Sequence, residues 1–484
     1  MKVLTAIVIG CLATACVATD TSRVDDRTQV VDCEVVIVGG GAGGLHTAYR
    51  LAPRLGAGVC LFEKEERLGG RIYDVAPTPG APVFGAGALR VMETQDLVFA
   101  LADELGIALQ PAPFRDTLIN ARGVFAGSEA EINRLAYPEI PDAVSVDELY
   151  DVLRTGPARA SASKYPDLRS YAREVIGPPA FGYLLDINRF RGDSEYPLSP
   201  ESYLAWLDEE VDVCCVPHYP VGGMSRFIER MAEEAARQGT RIFTGEPVLR
   251  VDARYDANKP PRYVLKTPGF TAQAHQVVFA TDAEALGHIA GDIGEALAAQ
   301  PQLSDLIGVK VVTIAQWWPR AWWEDIEFGA LDVKRVLTTE SCINQLEIPT
   351  HPYAAGQLVT RTVYDDDLLC TGFWELTADR SIEAVEAQIG RGLAYLFPDV
   401  EIPEPLHTHV QVWPRAWFWL RAGSPYSNED IARWALEPLP GEAVYLVGEA
   451  FNPQRSAWSD AAYKSSINTL NRHFGMALPG GLDP

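Results

Sequence analysis

The sequence lacks features that mark several common classes of protein. Beyond the first 15 residues it has no apolar run long enough to cross a membrane, and it contains no low-complexity tract or internal repeat. Basic residues are scarce: 41 Lys and Arg stand against 65 Asp and Glu, which gives a formal net charge of -24. Because such a surface disfavours nucleic acid and anionic membranes, we expect neither as a partner.

Motifs for several kinds of chemistry are also missing. The sequence has no Ser/His/Asp arrangement and no phosphate-transfer motif. The pair Cys214-Cys215 has no further His or Cys at the spacing of a metal site, so no metal is expected. What is present is a globular composition, 47% apolar and 22% charged over 484 residues. A chain of this length holds roughly two or three domains.

The first residues have the form of a secretory signal, residues 1–15. Lys2 precedes an apolar stretch from Val3 to Ala15 that is too short to span a bilayer. Cleavage before Cys16 would leave a cysteine that a lipid can modify, although Ala13 stands where lipoprotein signals usually have leucine. Residues 16–30 would then be a polar tether. We therefore expect an exported protein that is periplasmic, secreted or lipid-anchored at the cell envelope, with simple cleavage and lipid anchoring both open.

Four later cysteines fall near predicted strands. Cys33 and Cys60 are interpreted as small buried residues of core strands. Cys342 and Cys370 lie in one predicted sheet region and are candidates for a disulfide after export. The pairing itself does not follow from the sequence.

The most informative stretch begins at Val35. Val35 to Val38 is a β-branched run, as a buried parallel strand requires, and it leads into a G-x-G-x-x-G spacing followed by a helical pattern. Such glycines permit a tight turn and let a pyrophosphate approach the helix N-terminus, where N–H groups favour negative charge. A second strand ends at Glu63, which is placed to accept the ribose hydroxyls of an adenosine. The order predicts a dinucleotide site with backbone contacts at Gly39, Gly41, Ala42, Gly43 and Gly44.

Leu68-Gly69-Gly70-Arg71 follows directly, and an NAD-binding domain would not need it. With this tail the sequence resembles the flavin amine oxidase family, whose members carry a Gly-Gly-Arg beside the pyrophosphate of FAD. The resemblance implies that Gly70 lets the loop close on the phosphates and that Arg71 offsets their charge. It also implies that the backbone of Val248 holds the adenine. The alternatives are a surface arginine at Arg71 and one more core valine at Val248. FAD is the expected cofactor.

The resemblance covers nearly the whole chain after the signal and is greatest to the L-amino-acid oxidase branch. It implies an α/β fold with a split Rossmann-type FAD-binding domain, a mixed-sheet substrate domain and a helical insertion. Helical periodicity in Val146 to Leu153, and β-branched runs in Lys310 to Ala315 and Leu358 to Val363, agree with that division. The expected boundaries are 31–74, 222–300 and 437–474 for the FAD-binding domain, 75–122 and 301–436 for the substrate domain, and 123–221 for the helical domain.

The C-terminal part resembles the second flavin segment of the family. Gly448 and Glu449 follow a predicted strand, and Glu449 would accept a hydroxyl of the ribityl chain. Ala457 and Trp458 precede a predicted helix, Ser459 to Leu470, whose start would direct its dipole at the N1–O2 edge of the flavin. Members of the family commonly have glycine where this chain has Ala457.

The segment Gly85 to Arg90 carries the main clue to the substrate. Amino-acid oxidases have a very similar segment, in which the arginine grips the substrate carboxylate. The planar fork of Arg90 suits such bidentate binding, and a surface salt bridge is the alternative. The resemblance assigns Tyr364 a second carboxylate contact. It also places four residues of the segment against the cofactor: Gly87, Ala88, Leu89 and Arg90.

Lys310 stands within an otherwise apolar strand, where a lysine is costly unless it has a polar partner. In the family the matching lysine reaches a water near the flavin and assists reoxidation by O2, so Lys310 is counted as catalytic together with Arg90. An exposed lysine on an edge strand is the alternative. Candidate walls of the substrate pocket, which would exclude water, are Trp374, Trp413, Trp417, Trp419 and Trp458; a place in the core is the alternative for most of the 11 tryptophans.

These residues predict an FAD-dependent L-amino-acid oxidase, which yields a 2-oxo acid, ammonia and hydrogen peroxide from an L-amino acid and O2. The alternatives on the same fold are a monoamine or polyamine oxidase and an amino-acid 2-monooxygenase. A flavoprotein without enzymatic activity is the third. The family also implies a possible homodimer.

Overall fold

The computed structural model describes residues 28–112, 116–140, 144–188, 190–208, 216–257, 260–348, 358–455 and 457–482. The predicted signal peptide, Cys16 and the pair Cys214-Cys215 lie outside these ranges. Within the part of the chain that the structure describes, every helix is too short or too polar to span a lipid bilayer.

Most strands are short, and two long ones occur in the second half of the chain. They are β1 Gln29–Asp32, β2 Val35–Val38, β3 Val59–Phe62, β4 Asp74–Val75, β5 Phe84–Gly85, β6 Val91–Met92, β7 Leu109–Pro111, β8 Thr117–Ala121, β9 Val124–Ala126, β10 Pro217–Pro220, β11 Arg241–Phe243, β12 Arg250–Arg254, β13 Arg262–Lys266, β14 Phe270–Ala274, β15 Gln276–Phe279, β16 Leu306–Trp317, β17 Arg335–Thr338, β18 Gln345–Glu347, β19 Val359–Asp365, β20 His407–Leu420 and β21 Val444–Leu446.

The helices are distributed along the described chain. They are α1 Ala42–Leu55, α2 Asp96–Leu105, α3 Glu129–Ala136, α4 Val146–Thr155, α5 Leu168–Val175, α6 Pro178–Ile187, α7 Pro200–Asp208, α8 Ser225–Arg237, α9 Ala283–Leu286, α10 Asp292–Ala298, α11 Pro301–Ser304, α12 Leu368–Ala378, α13 Ile382–Leu396, α14 Asn428–Leu436 and α15 Ser459–Phe474.

A five-stranded parallel sheet in the order β11-β3-β2-β15-β21 organises the nucleotide-binding part. Every residue of β2 and β3 is buried, because both faces of the sheet are covered. Helices α1, α8 and α15 pack on one face, and a four-stranded sheet in the order β1-β14-β13-β12 packs on the other. The strands come from the three separated segments expected of a split Rossmann-type domain.

Two expectations for this region were wrong in detail. The predicted tether, residues 16–30, includes the start of β1, which pairs in parallel with β14, from Gln29 opposite Phe270 onward. Cys33 and Cys60 are not simply small buried residues, since they are joined in a disulfide. The expected disulfide between Cys342 and Cys370 is present.

A seven-stranded mixed sheet, in the order β20-β16-β19-β18-β17-β8-β9, forms the second large unit. Only the β17–β8 pair is parallel. Because side chains alternate between faces along a strand, the sheet presents two different surfaces. One surface packs against α12 and α13, and the other faces the helical segment α3 to α7. The predicted helices beginning at Val146, Leu168 and Pro200 are confirmed.

Candidate active site

The turn between β2 and α1 has the geometry of a phosphate cradle. Gly39 has φ +108°, and a Cβ there would lie 2.5 Å from the carbonyl oxygen of Ala280. A Cβ on Gly44 would lie 2.0 Å from the Gly39 oxygen, so the helix packs closely on the turn. A Cβ on Gly41 would meet no atom within 4 Å, and no side chain caps the start of α1. The helix start therefore opens into space that suits a pyrophosphate.

Glu63 is buried at the end of β3 and joins this turn to its surroundings. Its Oε2 accepts the Gly40 N–H at 2.7 Å, and its Oε1 accepts the Glu65 N–H at 2.9 Å. These two bonds hold the carboxylate beside the glycine turn. Binding of the ribose by Glu63 stays a prediction.

The Gly-Gly-Arg segment packs on the glycine turn. The Gly69 N–H donates to the Gly40 oxygen at 2.9 Å, and Gly70 has φ +56°, which favours glycine. Arg71 is partly buried, and its Nη1 lies 2.8 Å from Glu449 Oε2 and 2.8 Å from the Ala416 oxygen. Arg71 thus joins the two segments that the resemblance assigned to the flavin.

The segment from Gly85 to Arg90 lies against Arg71. The Ala88 N–H donates to the Arg71 oxygen at 3.1 Å, and a Cβ on Gly87 would lie 1.9 Å from that same oxygen. The indole Nε1 of Trp413 donates to the Ala86 oxygen at 2.7 Å. Only glycine fits at position 87 with this backbone approach.

Ala457 has φ +69°, a backbone conformation that residues other than glycine rarely adopt. Its N–H donates to Glu449 Oε1 at 3.1 Å, and the Phe418 N–H donates to the same oxygen at 3.2 Å. Trp458 follows at the start of α15, which has no side-chain cap. Glycine, which the family commonly has at this position, would adopt this conformation without strain, whereas Ala457 adopts it with strain.

A cavity of about 560 Å³ lies beside these segments. The Gly85–Arg90 segment, the Trp458 region, one face of the mixed sheet and the helical segment together line it. Of the predicted site residues, the cavity wall includes Arg71, Gly87, Ala88, Leu89, Arg90, Tyr364, Trp413, Glu449, Ala457 and Trp458. The glycines of the β2–α1 turn do not line this cavity, and they lie where a nucleotide part of FAD would extend.

Arg90 lies in the cavity wall with its guanidinium carbon 5.7 Å from the ring centroid of Trp458. Tyr364 lines the same cavity. Burial, followed by the nearby Asp366 carboxylate, raises the pKa of Tyr364 well above its ordinary value, while Arg361 and Arg90 act in the opposite direction. Its hydroxyl thus stays protonated and is able to donate a hydrogen bond.

Two residues predicted to act on the substrate side of the flavin, Lys310 and Trp374, are not among the described residues that line the cavity. Lys310 lies at a β-bulge between Val309 and Val311, and its Nζ is 2.5 Å from Glu375 Oε2 on α12. Trp374, also on α12, is 1% exposed in the core on the α12 side of the sheet. The sheet separates Trp374 from the cavity, so its assignment as a pocket wall was wrong. Lys310 is likewise not among the described residues of the cavity wall, and its role in reoxidation stays a prediction.

Val248 is 9% exposed and packs in the apolar core between the parallel sheet and the four-stranded sheet. The adenine contact assigned to its backbone stays a prediction. The absence of a metal also stays a prediction. The described residues bring together Cys342, Asp365 and Cys370, but the two sulfurs are bonded to each other and are not thiolate ligands.

Several charged residues of the cavity were not foreseen. Arg335, Glu347 and Arg361 stand on three neighbouring strands of the mixed sheet and line the cavity. Arg361 lies within the predicted run from Leu358 to Val363, and a charge within such a run was the available signal. Asp193 lies in a short turn, Gly192–Ser194, whose available signal was its resemblance to the family.

Asp193 is buried beneath the aromatic wall of the cavity. It accepts hydrogen bonds from Trp419 Nε1 at 2.8 Å, Trp417 Nε1 at 3.3 Å and the Tyr203 hydroxyl at 3.3 Å. Burial raises its pKa to about 6, and these three hydrogen bonds act against that rise. The carboxyl orients both indole rings toward the cavity.

A family model described as flavin-containing amine oxidoreductase matches residues 42–469. The chain belongs to this family. The flavin of the family is FAD, and the open cradle at Gly41 and the Arg71–Glu449 junction fit it. The family match and the fold therefore confirm the predicted family, fold class and cofactor of this flavin amine oxidoreductase.

Two relatives are similar over about half of their own length. An L-amino acid dehydrogenase of Synechocystis is 26% identical over 45% of this chain and 50% of the relative. A hydroxyneurosporene desaturase of Cereibacter sphaeroides is 27% identical over 54% of this chain and 58% of the relative. A solved structure of putrescine oxidase bound to putrescine matches with a TM-score of 0.67 and 16% identity, over 92% of this chain and 100% of that one. At that identity the likeness shows the fold.

Proposed function

We propose that this flavin amine oxidoreductase oxidises an L-amino acid at its Cα–N bond. The observation that carries the proposal is the position of Arg90. Its guanidinium lies in the wall of the cavity beside Trp458, and its positive charge acts on the Tyr364 hydroxyl. A guanidinium in this position suits a substrate carboxylate, and a simple amine has no group that would use it. A relative named for L-amino acid dehydrogenation supports the same substrate class.

The residues of the cavity have two roles, which are to bind the substrate and to exclude water. Arg90 and the Tyr364 hydroxyl would hold the carboxylate, which fixes the Cα–H bond relative to the cofactor. Trp413 and Trp458 would exclude water from that bond. Bound FAD supplies the two-electron chemistry. The amino acid loses two electrons and two protons to become an imine, water converts the imine to a 2-oxo acid and ammonia, and O2 gains the two electrons and two protons as hydrogen peroxide.

Replacement of Arg90 tests the proposal. Arg90→Ala should lower kcat/KM for L-amino acids, because the substrate carboxylate loses its partner. The loss should correspond to about 2–5 kcal/mol of activation free energy. The corresponding decarboxylated amines should be oxidised no more slowly by the variant than by the wild type. Arg320→Ala, which removes an exposed arginine paired with Asp325, is the matched control and should change neither value. If the wild type oxidises only the amines, it is an amine oxidase and the proposal is wrong.

A second candidate differs in the electron acceptor. The expected lysine for reoxidation by O2, Lys310, pairs with Glu375 on the far side of the sheet from the cavity. This position favours a dehydrogenase that passes its two electrons to an acceptor other than O2, for which a soluble quinone serves as the probe. Reduced protein should then be reoxidised faster by a soluble quinone than by O2, and Lys310→Met should leave the O2 rate unchanged. A fast O2 reaction that slows in Lys310→Met would restore the oxidase with a catalytic Lys310.

A further inference from the structure

The disulfide between Cys342 and Cys370 lies beside a buried carboxylate, that of Asp365. Cys342 belongs to the connection between β17 and β18, Cys370 to the first turn of α12, and Asp365 to the end of β19. One oxygen of the Asp365 carboxylate and the two sulfurs all lie within 4.8 Å of one another. Three different elements thus bring together two sulfurs and a carboxylate, which are the groups that bind zinc in proteins.

The Asp365 carboxylate has an oxygen that is able to serve as a ligand. The residue is 0% exposed, and its Oδ1 accepts the Asp367 N–H at 3.0 Å and the Asn344 Nδ2–H at 3.4 Å. Its Oδ2 has no hydrogen-bond partner among the residues that the structure describes. A buried carboxylate oxygen without a partner is unfavourable, and a bound cation would satisfy it.

The two described disulfides differ in how easily a reductant reaches them. Cys33 and Cys60 are buried in the apolar core, whereas Cys342 and Cys370 are both partly exposed. A dithiol in solution is therefore able to attack the Cys342–Cys370 bond while the protein stays folded. The dithiol is oxidised to its own disulfide, and its two electrons and two protons convert the protein bond into two thiols.

The released sulfurs have the position and the chemistry of metal ligands. Cys370 is the third residue of α12, and the N-terminus of a helix favours a thiolate over a thiol. Two sulfurs that each lie about 2.3 Å from a tetrahedral zinc ion are about 3.8 Å apart. The sulfurs of Cys342 and Cys370 reach that separation by small side-chain rotations once the bond between them is broken.

Charged groups of both signs surround Asp365. The Arg191 guanidinium and the carboxylates of Asp367 and Glu195 act on it. Arg191 Nη2 donates to the side-chain oxygen of Asn344, which ties this cation to the connection between β17 and β18. The Asp367 and Glu195 carboxylates accept N–H groups at the start of α12. The negative charge that a Zn²⁺ ion needs therefore comes mainly from the two sulfurs, and only after they have become thiolates.

We propose that Cys342, Cys370 and Asp365 form a zinc site in the reduced protein, and that the disulfide removes this site in the oxidised protein. Zn²⁺ displaces the two thiol protons into solvent and binds two thiolates and one carboxylate, with water as the fourth ligand. Sulfur ligands favour Zn²⁺ over Mg²⁺ and Ca²⁺, which prefer oxygen. Side chains alternate along β19, so the site lies across the sheet from Tyr364 and the cavity, and it does not depend on the proposed function.

Co²⁺ serves as the spectroscopic probe, because its complexes with thiolates absorb light and those of Zn²⁺ do not. A water-soluble phosphine reduces the exposed disulfide of the FAD-loaded protein and is then removed. One Co²⁺ ion per chain should bind, with a sulfur-to-cobalt charge-transfer band and with d–d bands at longer wavelengths than the flavin absorbs. Zn²⁺ should displace it. Protein that was not treated with phosphine should show neither band.

Variants identify the ligands. Cys342→Ser should weaken Co²⁺ binding more than about 100-fold and Asp365→Asn about 10- to 100-fold, because even residues that only support a ligand contribute about 10- to 100-fold. Asp379→Asn removes an exposed carboxylate at the other end of α12 and should bind Co²⁺ as the wild type does. Cys214→Ser, which changes another cysteine of the chain, should do the same. Wild-type affinity in Cys342→Ser or in Asp365→Asn would overturn the proposal.

Protection from alkylation keeps the test decisive if Cys342→Ser does not fold. In the phosphine-treated wild type, iodoacetamide should modify Cys342 and Cys370 and leave Cys33 and Cys60 unmodified. Zn²⁺ should slow that modification at least about tenfold, because a bound thiolate is withheld from the reagent, and Mg²⁺ should not. Failure of the phosphine to reduce the bond in the folded protein, or equal modification rates with and without Zn²⁺, would contradict the proposal.

Discussion

At the scale of single residues, strain is concentrated at the flavin side of the cavity. Ala457 has φ +69° between Glu449, to which its N–H donates, and Trp458 in the cavity wall. A side chain in this conformation costs about 1–2 kcal/mol relative to glycine. The chain accepts the cost because the carboxylate of Glu449 fixes the backbone on one side and α15 fixes it on the other. Strain of this kind often accompanies a binding site.

Ala457→Gly should therefore stabilise the protein. Relief of the left-handed conformation is expected to exceed the entropy that glycine adds to the unfolded chain, for a net gain of about 0.5–1 kcal/mol. Denaturant unfolding of the FAD-free protein measures it. Ala236→Gly on the exposed face of α8 is the control and should lose about 1 kcal/mol, since a helical alanine there has no strain to relieve. Destabilisation at both positions would contradict the account of Ala457.

At the scale of elements, the β2–α1 turn separates two uses of glycine. Gly44 is needed by the fold, because a Cβ would lie 2.0 Å from the Gly39 oxygen. Gly41 is not needed by the fold, because a Cβ there would meet nothing within 4 Å. The same short motif thus contains one residue that closes the helix on the strand and another that leaves open space, where the predicted pyrophosphate would lie.

Alanine at each position should separate the two roles. Gly41→Ala should leave the stability of the FAD-free protein nearly unchanged and weaken FAD binding at least about tenfold, since loss of one charged hydrogen bond costs roughly 1.5–3 kcal/mol. Gly44→Ala should destabilise the FAD-free protein itself by about 2–3 kcal/mol through the clash. Fluorescence titration with FAD and denaturant unfolding give the two values. A Gly41→Ala protein that binds FAD normally would show that the pyrophosphate lies elsewhere.

The elements also show what could be predicted from the sequence. The β2–α1 turn and the Leu68–Arg71 loop were predictable, because their glycines and strands are local in sequence. The face occupied by Lys310 was not, because a β-bulge beside it shifts the alternation on which such a prediction depends. The position of Trp374 could not be predicted either, because the face of the sheet on which α12 packs is decided by tertiary structure. The grouping of Arg335, Glu347 and Arg361 in the cavity wall required the pairing of β17, β18 and β19, which no single strand contains.

At the scale of the whole molecule, two layers on either side of the parallel sheet make the nucleotide-binding part, and the cavity lies between the mixed sheet and the helical segment. Non-local pairing completes both units. Strand β1, whose first two residues fall in the predicted tether, joins β14 across 241 positions from Gln29 to Phe270. This polar segment, which contains one Val-Val pair, forms a strand because the neighbouring strand β14 supplies its hydrogen bonds.

In the part of the chain that the structure describes, two disulfides join separate elements. Cys33, beside β2, is bonded to Cys60 in β3 at a sequence separation of 27, and Cys342 is bonded to Cys370 at the start of α12 at a separation of 28. Disulfides persist in oxidising compartments, which supports the proposal that the chain is exported. Cys33 and Cys60 are 6% and 0% exposed, so reductant should reach them only when the protein opens.

The Cys33–Cys60 disulfide should contribute measurably to stability. Removal of a bond that closes a loop of this length is expected to cost about 2–4 kcal/mol, mainly because the unfolded chain gains conformations. The double variant Cys33→Ala/Cys60→Ala should show that loss in denaturant unfolding, and the corresponding variant at Cys342 and Cys370 provides the comparison for a loop of nearly equal length. In wild-type protein made in an oxidising compartment, thiol titration after unfolding should find none of these four cysteines reactive until reductant is added. Four reactive thiols before reduction would show that the bonds are absent and would remove this support for export. An unchanged free energy of unfolding in the double variant would show that the strands β2 and β3 hold together without the bond.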